Sequence, residues 1–582
     1  MLVDDELLKQ RTDGTWEAAD SIDDVRVPPT ITALVAARLE RLAPAERSAA
    51  ERASVVGRIF EQAAVVELTD EALRPDVGRS LRALVRKELV RPDRSELTAG
   101  DAFKFRHILI RDAAYEALPK AERAQLHERF ANWLERIAGD RLAELQEIVG
   151  HHLERAHHYR TELGESSDHV ARLAERAVVY LWPAGQMAAE QGNPSLALAI
   201  FQRTRSLLSP SSSDLSELWL DVADSHWELG QAAADLTSIA EAEAALPFAT
   251  ARGHHRFALT RANRTMHGSG IAGFENLRKV SLEVVRATEA SGDQLTQIRA
   301  LRNLAFAYYY TGLIERGSEV LRDSIDLNRA AGRRSEVAKD LSLLANFAVG
   351  GPLPVSILKR ECLTMLDEAA NYPGSRAGIL LAWGFVEMLD GDLESGRARM
   401  LELKKFADEI GTMGLLGPIS WSPSAGYAEY LVGDPALATT ILAEWVEVLR
   451  GTGAAGFLAS SALMYAQALV EIGDLARVED LVAEGRAIGL IEDVDVQVRW
   501  RLALAALRQR ESRLSEAVTL LEEAAALVRD TEFTLLAIEV ELARISAAQE
   551  SGDLERAAAA RQRGLELATL KESPALVARI TA

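Results

Sequence analysis

The chain has 582 residues, of which 48% are apolar, so it is long enough to hold several domains with true hydrophobic cores. Its net charge of −21 is poorly suited to coating nucleic acid, and a single cysteine, Cys362, excludes an intramolecular disulfide and a thiolate metal site. The N-terminus lacks the order of a signal peptide, and the most apolar window, residues 379–389, is too short to cross a bilayer. We therefore predict a cytoplasmic protein with no membrane partner.

The first part of the chain predicts a small helical domain. Residues 1–25 are acidic and carry no sustained apolar period, which predicts a helix remnant followed by a linker. Four helices are then predicted to begin near Thr30, Pro44, Glu61 and Asp76. Two short β-prone segments, 89–91 and 102–106, follow with a polar loop between them. Helices followed by a small hairpin indicate a winged-helix domain over residues 26–118.

The fourth of these helices carries a basic face. Its members are Arg79, Arg82, Arg86 and Lys87. In one interpretation this helix reads DNA, with the basic residues on phosphates. Because residues 26–120 carry a net charge of only +3, a solvated face or an interdomain face is the simpler interpretation, and DNA binding is the weaker alternative.

The segment after this domain joins it to the rest of the chain. Leu118-Pro119 ends one helix and starts the next, because proline lacks the donor that a helix interior needs but suits the first helical position. The next helix is predicted to run to about Gly139, with a wide apolar face. That face is formed by Leu126, Phe130, Trp133, Leu134 and Ile137. We predict connecting helices over residues 119–170.

A turn signal then recurs at intervals of 38 to 42 residues. Its clear instances are Gly192, Gly230, Gly312, Gly391, Gly433, Gly473 and Gly552, with Gly270, Gly351 and Ser512 as weaker members. Each turn lies between two apolar helices, and a helix pair cannot bury its face alone. The spacing therefore predicts an α-solenoid of about ten repeats of about 40 residues over residues 171–582, with a concave groove. The predicted fold class is all-α: a winged-helix domain with a small β-hairpin, followed by tetratricopeptide-like helix pairs.

Two sets of residues carry a resemblance to known families. Leu304, Ala305, Tyr308 and Gly312 match the first helix of a tetratricopeptide repeat. The second set is VPPTITALVAARLERL at 27–42 with Phe105-Arg106-His107, Arg111-Asp112, Ala114-Tyr115, Leu118-Pro119, Arg123 and Leu126-His127. This set resembles the region after the ATPase module in bacterial STAND signal-transduction ATPases, a group of AAA-like regulators.

The resemblance implies an order of domains. Members of the group carry an optional class III adenylate cyclase or other effector, then the ATPase, a winged helix and a tetratricopeptide array, and some end in a LuxR-type DNA-binding module. This chain departs from that order, because it has no G-x-x-x-x-G-K-[ST] motif and no Gly-Lys pair to cradle a phosphate. MLVDDELLKQ resembles the last helix of the ATPase lid, so we expect the chain to begin downstream of the nucleotide site. ATP binding and cyclase activity are thus implied only for full-length relatives.

A basic stretch in the repeats suggests a ligand site. Residues 251–279 carry a net charge of +5 in an acidic protein. The repeat register places six polar residues on the groove: Arg261, Arg264, Arg299, Arg302, Asn303 and Tyr309. Arginine presents a fork of donors to carboxylate or phosphate, so we predict a patch for an anionic small ligand or an acidic peptide end. The alternative is a solvated face that pairs with acidic neighbouring repeats.

No catalytic, cofactor or metal site is predicted. His151, His152, His157 and His158 lack the spacing and third ligand of a zinc site. The motif at residues 268–273 formally matches a dinucleotide fingerprint but follows a helical pattern rather than a strand, so a repeat turn is the better interpretation.

We therefore predict a non-catalytic sensing and regulatory scaffold, the partner-binding arm of a STAND-type regulator. Its expected partners are a protein or peptide in the groove and an ATPase or cyclase module in cis or in trans. Groove occupancy would change how the solenoid packs on the winged helix. The alternative is a truncated part of an ATP-dependent adenylate cyclase or transcriptional regulator, with ATP binding supplied by an absent upstream segment.

Overall fold

The computed structural model describes residues 8–10, 16–18, 31–94, 100–267, 273–410, 418–452 and 455–582. Within these ranges most residues lie in α-helices, and the strands all lie before residue 106. The predicted all-α class is therefore confirmed. The chain divides into two compact units, residues 1–184 with 203–208 and residues 185–202 with 209–582. Across the described ranges, no helix combines the length and apolarity that a bilayer crossing requires.

The first unit combines short strands with helices. In chain order its elements are β1 (Leu8–Gln10), β2 (Trp16–Ala18), α1 (Ile31–Glu40), α2 (Pro44–Val56), β3 (Ile59–Glu61), α3 (Gln62–Leu68), α4 (Val77–Arg86), β4 (Val90–Asp93), β5 (Ala102–Phe105), α5 (Ile108–Glu116), α6 (Lys120–Ala138) and α7 (Leu142–Glu162). Short 3-10 helices precede α4 and α7. The four predicted helices and the hairpin after them are confirmed.

The N-terminal segment differs from its prediction. The sequence predicts a helix remnant here, but β1 and β2 pair antiparallel, with Lys9 opposite Glu17. The helix prediction is therefore wrong over these strands. Asp13-Gly14 lies between them in the sequence, and this dipeptide is a strong hairpin signal. The rest of residues 1–30 lies outside the described residues.

The sheet of the first unit closes its core. Its strand order is β3-β5-β4, with both pairs antiparallel and Phe60 opposite Phe103. Phe60 and Phe105 are almost fully buried beside Leu81 and Leu84 of α4. Apolar side chains on one face of each element therefore meet in one core, as the periodicity predicts.

The joint between α5 and α6 follows the predicted pattern. The His107 side chain starts α5, because its Nδ1 accepts a hydrogen bond from the Leu109 amide at 3.2 Å. Pro119 then immediately precedes α6, which ends before Gly139 as expected. α6 buries Phe130 and Leu134 and packs mainly against α7.

The second unit is built from helical pairs. Its helices, the first two of which begin and end in different units, are α8 (Asp168–Glu190), α9 (Pro194–Leu207), α10 (Leu215–Glu228), α11 (Ala232–Ala245), α12 (Ala251–His267), α13 (Phe274–Ser291), α14 (Gln294–Tyr310), α15 (Ile314–Ala330), α16 (Arg334–Gly350), α17 (Val355–Glu368), α18 (Pro373–Leu389), α19 (Leu393–Ile410), α20 (Pro418–Val432), α21 (Pro435–Thr452), α22 (Ala455–Ile472), α23 (Val478–Ile488), α24 (Val494–Arg510), α25 (Leu514–Val528), α26 (Thr534–Glu550), α27 (Leu554–Leu570) and α28 (Pro574–Thr581). A 3-10 turn precedes α12. In this part of the chain α8 to α27 form ten consecutive pairs, and the even-numbered members are called the first helices below.

The turns within pairs explain the repeated glycines. Six of the predicted turn glycines adopt left-handed backbone, which residues with a Cβ rarely take. They are Gly192, Gly230, Gly312, Gly391, Gly473 and Gly552. Ser512 takes the same conformation at φ 62°, which confirms it as a glycine substitute. Gly433 and Gly351 do not adopt it, and Gly270 lies outside the described residues.

Three glutamates join segments of the solenoid that are 216 to 218 residues apart. The Glu492 carboxylate accepts from the Phe274 amide at 2.9 Å, at the start of α13. The Glu532 carboxylate accepts from the Glu315 amide at 2.6 Å, at the start of α15. Glu572 accepts from the Ser356 hydroxyl at the start of α17. These carboxylates satisfy donors at helix N-termini, which favour negative charge, so one superhelical turn of this unit contacts the next.

Candidate functional site

First helices face one another inside the solenoid. Tyr427 of α20 donates a hydrogen bond to Glu539 of α26, although 112 residues separate them. Tyr309 of α14 stacks on Phe347 of α16, with ring centroids 4.2 Å apart, and meets Phe533 edge-on at 5.5 Å. The predicted groove residue Tyr309 therefore lies in an aromatic contact, and burial raises its pKa.

Charged side chains of α10, α12, α14 and α16, with one from α11, form a second contact set, called the inner charge cluster here. Its members are Glu217, Asp221, Asp224, Glu228, Asp235, Arg256, Arg264, Arg299, Arg302, Glu336, Lys339 and Asp340. The predicted groove arginines Arg264, Arg299 and Arg302 belong to it. The structure therefore brings them together with carboxylates that the sequence analysis did not single out.

Each of these arginines is held by two carboxylates. Arg264 lies 2.9 Å from Asp224 and 3.1 Å from Asp235, and its guanidinium stacks 4.4 Å from the Trp227 ring. Arg299 lies 3.3 Å from Asp224 and 3.8 Å from Asp221. The Arg256 guanidinium nearby, together with burial, lowers the pKa of Arg299. The arginine positions are thus fixed before any ligand binds.

Arg302 pairs with two carboxylates of α16. Its guanidinium lies 2.6 Å from Asp340 and 2.9 Å from Glu336. Burial opposes ionisation of Glu336, but Arg302 and Lys339 outweigh it and lower the pKa of Glu336. Lys339 lies 2.9 Å from Glu336 and keeps part of its side chain exposed.

Like Tyr309, the predicted groove residues Asn303 and Arg261 lie outside the cluster's ion pairs. Asn303 donates to the Leu259 carbonyl at 3.4 Å and accepts from the Asn263 amide at 3.1 Å, so it links α14 to α12. Arg261 is largely exposed and pairs with Glu243 at 3.3 Å. Their role in ligand binding stays a prediction.

The side chains of Glu228 in the cluster and of Glu190 beside it have little hydrogen bonding. Glu228 has no hydrogen bond or ion pair within the described part of the chain, and burial raises its pKa to about 7. Glu190 of α8 accepts only from the Ser335 hydroxyl, at 3.4 Å, and burial together with Glu336 raises its pKa. Acceptor capacity is therefore left on these two carboxyl groups, whereas the donor of the cluster arginines that lacks a partner, the Arg256 Nε, is buried.

A second inner network was missed by the sequence analysis. Arg499 of α24 lies 2.7 Å from Asp495 and 3.3 Å from Glu539, and stacks 4.3 Å from the Tyr427 ring. Gln467 of α22 donates to Glu539 at 3.2 Å. These side chains are at least nine-tenths buried except Asp495. We call them the buried arginine network.

The predicted basic face of α4 is exposed. Arg79 lies 3.3 Å from Asp76, and Lys87 lies 2.6 Å from Glu46. Arg82 and Arg86 are also exposed. Whether this face meets DNA or another domain stays a prediction.

Neither a metal site nor a reactive thiol occurs among the described residues outside these clusters. No group of three or more His, Cys, Asp or Glu side chains there could hold a metal ion. Cys362 is buried, and burial raises its pKa to about 12, which keeps the thiol protonated and unreactive.

Comparison with known proteins yields weak likenesses. No protein-family model and no curated protein sequence matches the chain. The Rap protein complexed with Competence and Sporulation Factor is 12% identical with a TM-score of 0.45, covering 62% of this chain and 99% of its own. The Cut9–Hcn1 hetero-tetramer of the APC/C is 11% identical with a TM-score of 0.48, covering 79% and 83%.

A third solved structure is a STAND protein with a tetratricopeptide repeat sensor from Pyrococcus horikoshii. It is 14% identical with a TM-score of 0.29, covering 94% of this chain and 66% of its own. Because all three TM-scores are below 0.5, these likenesses support no inference about what this chain binds.

Proposed function

We propose that this chain is a non-catalytic sensor scaffold whose solenoid binds a protein or peptide ligand on the inner charge cluster. The observation that carries the proposal is a set of ion-paired side chains that stays partly open to solvent. The Arg299 side chain is 41% exposed and that of Lys339 is 39% exposed. Side chains that are already oriented lose little conformational entropy when a ligand binds.

The charge balance of the cluster favours a basic ligand. Every arginine of the cluster already has two carboxylates, whereas Glu228 has no partner among the described residues and Glu190 has one hydroxyl. A lysine or arginine side chain, or an amino terminus, would supply the missing donors. The anionic ligand expected from the sequence would instead compete with carboxylates that already hold the arginines.

Selection from a displayed library of random peptides tests this proposal. The full chain is expected to enrich peptides that share a basic residue. Glu190→Gln with Glu228→Gln replaces two carboxyl groups at nearly constant volume and should weaken binding of the enriched peptides about tenfold or more. Glu243→Gln, at the exposed Arg261 pair, is the matched control.

Three outcomes would overturn the proposal. The wild-type chain could enrich no common sequence, or the double variant could bind the enriched peptides as well as wild type. Enrichment of acidic peptides would instead support the anionic ligand predicted from the sequence.

From the sequence resemblance, we further propose that the solenoid is the sensing arm of a STAND-type regulator and that the first unit contains its winged helix. The helices and hairpin of that unit support this assignment. The exposed basic face of α4 keeps the transcriptional-regulator alternative open. DNA affinity that falls steeply with salt and is lost on changing Arg79, Arg82 and Arg86 to glutamine would favour that alternative. An absence of DNA binding would favour an interdomain face.

A further inference from the structure

Three arginines surround two tyrosines where α5, α6 and α7 meet. The Arg111 and Arg123 guanidinium groups lie 4.9 and 4.8 Å from the Tyr115 ring centroid. Arg155 lies 4.5 Å from the Tyr159 ring centroid, and Arg123 lies 5.6 Å from it. Each helix thus contributes one arginine. We call these five residues the joint arginine site.

The charge of this site is not balanced. Arg123 donates to the backbone carbonyls of Leu118 at 2.9 Å and Glu116 at 2.8 Å, and to the Tyr159 hydroxyl at 3.5 Å. Arg155 donates to the same hydroxyl. Among the described residues, neither guanidinium lies within 4.0 Å of a carboxylate, whereas the arginines inside the solenoid have two each.

Neighbouring acidic groups do not compensate the site. Asp112 lies 3.0 Å from Arg111, which also donates to the Ser54 carbonyl at 2.9 Å. Glu162 of α7 is held by Lys120 at 3.2 Å and by His158 at 3.4 Å. Among the described residues, the three guanidinium groups therefore have one carboxylate within 4.0 Å, that of Asp112 beside Arg111. Arg111, Arg123 and Arg155 all remain partly exposed, so solvent reaches them.

Two of the arginines converge on one acceptor oxygen. The Tyr159 hydroxyl oxygen lies between the Arg123 and Arg155 guanidinium groups. It also shares a 2.9 Å hydrogen bond with the Tyr115 hydroxyl. A neutral phenol oxygen gains much less from two cations than an oxyanion does.

Buried histidines hold this arrangement in place. The Tyr115 hydroxyl lies 2.7 Å from His127 Nε2, and His127 Nδ1 lies 2.8 Å from His152 Nδ1. Burial lowers the pKa of both imidazoles well below the usual value, so they are neutral near pH 7. They fix Tyr115 without adding charge, and the positive charge stays on the arginines.

We propose that the joint arginine site binds a phosphate-class oxyanion, either inorganic phosphate or the phosphate group of a small metabolite. Guanidinium groups from three helices can bind several oxygens of a tetrahedral dianion, whereas a planar carboxylate is satisfied by one arginine fork. This site lies in the first unit and is independent of the ligand proposed for the inner charge cluster.

Thermal unfolding of the full chain with added phosphate tests the proposal. At constant ionic strength, phosphate should raise the Tm of the transition in which the first unit unfolds, whereas chloride and acetate should not. Titration calorimetry with inorganic phosphate then gives the affinity. Arg123→Gln with Arg155→Gln should weaken it about tenfold or more, because each removes a charge-assisted hydrogen bond. Arg136→Gln, at an exposed α6 pair with Glu67, is the matched control.

Further measurements keep the test decisive. Arg155→Lys retains the positive charge but loses the forked pair of donors of the guanidinium group, so it should weaken phosphate binding. This variant should still fold, and a cooperative thermal unfolding transition would show that it does. A parallel titration with glycerol phosphate distinguishes inorganic phosphate from a metabolite phosphate. If glycerol phosphate binds more tightly than inorganic phosphate, the ligand is a phosphorylated metabolite. Equal Tm shifts with acetate and phosphate would overturn the phosphate class. An unchanged affinity in the double variant would overturn the site.

Discussion

The inner charge cluster and the buried arginine network are both built from arginines and carboxylates, but they differ in access to water. In the cluster, the Arg299 side chain is 41% exposed and Asp224 is 37% exposed. In the network, Arg499 and Glu539 are each 3% exposed. Ion pairs near water contribute little stability and stay available to a ligand, whereas buried ones make each partner depend on the other.

The difference shows how one solenoid can separate support from recognition. The buried arginine network connects α20, α22, α24 and α26 through Tyr427, Gln467, Arg499 and Glu539. Apart from the edge of Asp495 its side chains are shielded from solvent, so a ligand has little access to its partners. The inner charge cluster uses the same chemistry on α10 to α16, where Glu228 retains free acceptor capacity, as does Glu190 of α8 beside the cluster. Burial, rather than residue type, distinguishes the network from the open edge of the cluster at Arg299 and Asp224, since the Arg256–Asp221 pair of the cluster is buried too.

The largest effect is expected from Glu539→Ala. This change leaves the Arg499 guanidinium buried with Asp495 as its remaining carboxylate, and breaking a buried pair costs about 3–5 kcal/mol. We expect a clear fall in the Tm of the solenoid transition by calorimetry. Glu516→Ala removes the exposed pair with Arg513 and should leave the Tm nearly unchanged. Similar shifts for both variants would contradict the distinction between the two regions.

A buried cation without a carboxylate extends the comparison. Lys571 is fully buried, and its Nζ donates to the carbonyls of Gly351 at 2.6 Å and Ala348 at 3.3 Å. Burial lowers its pKa to about 7 from 10.5. Between these pH values the unfolded chain binds more protons than the folded chain, so stability should rise with pH, by about 1.4 kcal/mol per unit at most.

The measurement is the stability of the chain in urea from pH 7 to pH 10. Lys571→Met should remove the part of the rise that this lysine contributes. Lys359→Met serves as the control, because Lys359 is partly exposed and pairs with Asp390. A wild-type slope that Lys571→Met leaves unchanged would show that the buried amine does not titrate in this range.

Most of the solenoid could be predicted because its signals are local. A left-handed turn needs a residue such as Gly552 or Gly312 at one position, and Ser512 takes that conformation at the spacing the repeat predicts. The N-terminal strands have only three residues each, too few to show a period of two, and Asp13-Gly14 is the local signal that favours their hairpin.

The site was only partly predictable. The register placed Arg264, Arg299 and Arg302 together, since residues at equal positions of neighbouring repeats meet. Their carboxylate partners could have been sought on the adjacent first helices at the same register. Contacts such as that of Tyr427 with Glu539 could not be predicted. They depend on the superhelical pitch of the solenoid, which is set by small rotations that add up over many repeats.

The inter-turn glutamates offer a smaller test of how turns are held together. Glu532→Ala removes the carboxylate that accepts from the Glu315 amide, and loss of such a cap costs about 1 kcal/mol. Hydrogen exchange should become faster at the first amides of α15. Glu522→Ala, which breaks an exposed pair with Arg544, is the control. Unchanged exchange in Glu532→Ala would mean that the Glu532 carboxylate does not stabilise the start of α15, and that the backbone hydrogen bond from the Glu532 amide to the Gly312 carbonyl and the packing around it suffice.

The smallest effect on stability is expected from Arg299→Met, the counterpart of the Glu539 change. Asp224 keeps Arg264 and Asp221 keeps Arg256 when this arginine is removed, so no carboxylate is left without a partner. Because the side chain is partly exposed, we expect a loss of about 0–1 kcal/mol in the free energy of unfolding. Calorimetry of both variants side by side measures the difference. If Arg299→Met lowered the Tm as much as Glu539→Ala, the inner charge cluster would be a structural support, because its exposure would then have no effect on what its ion pairs contribute.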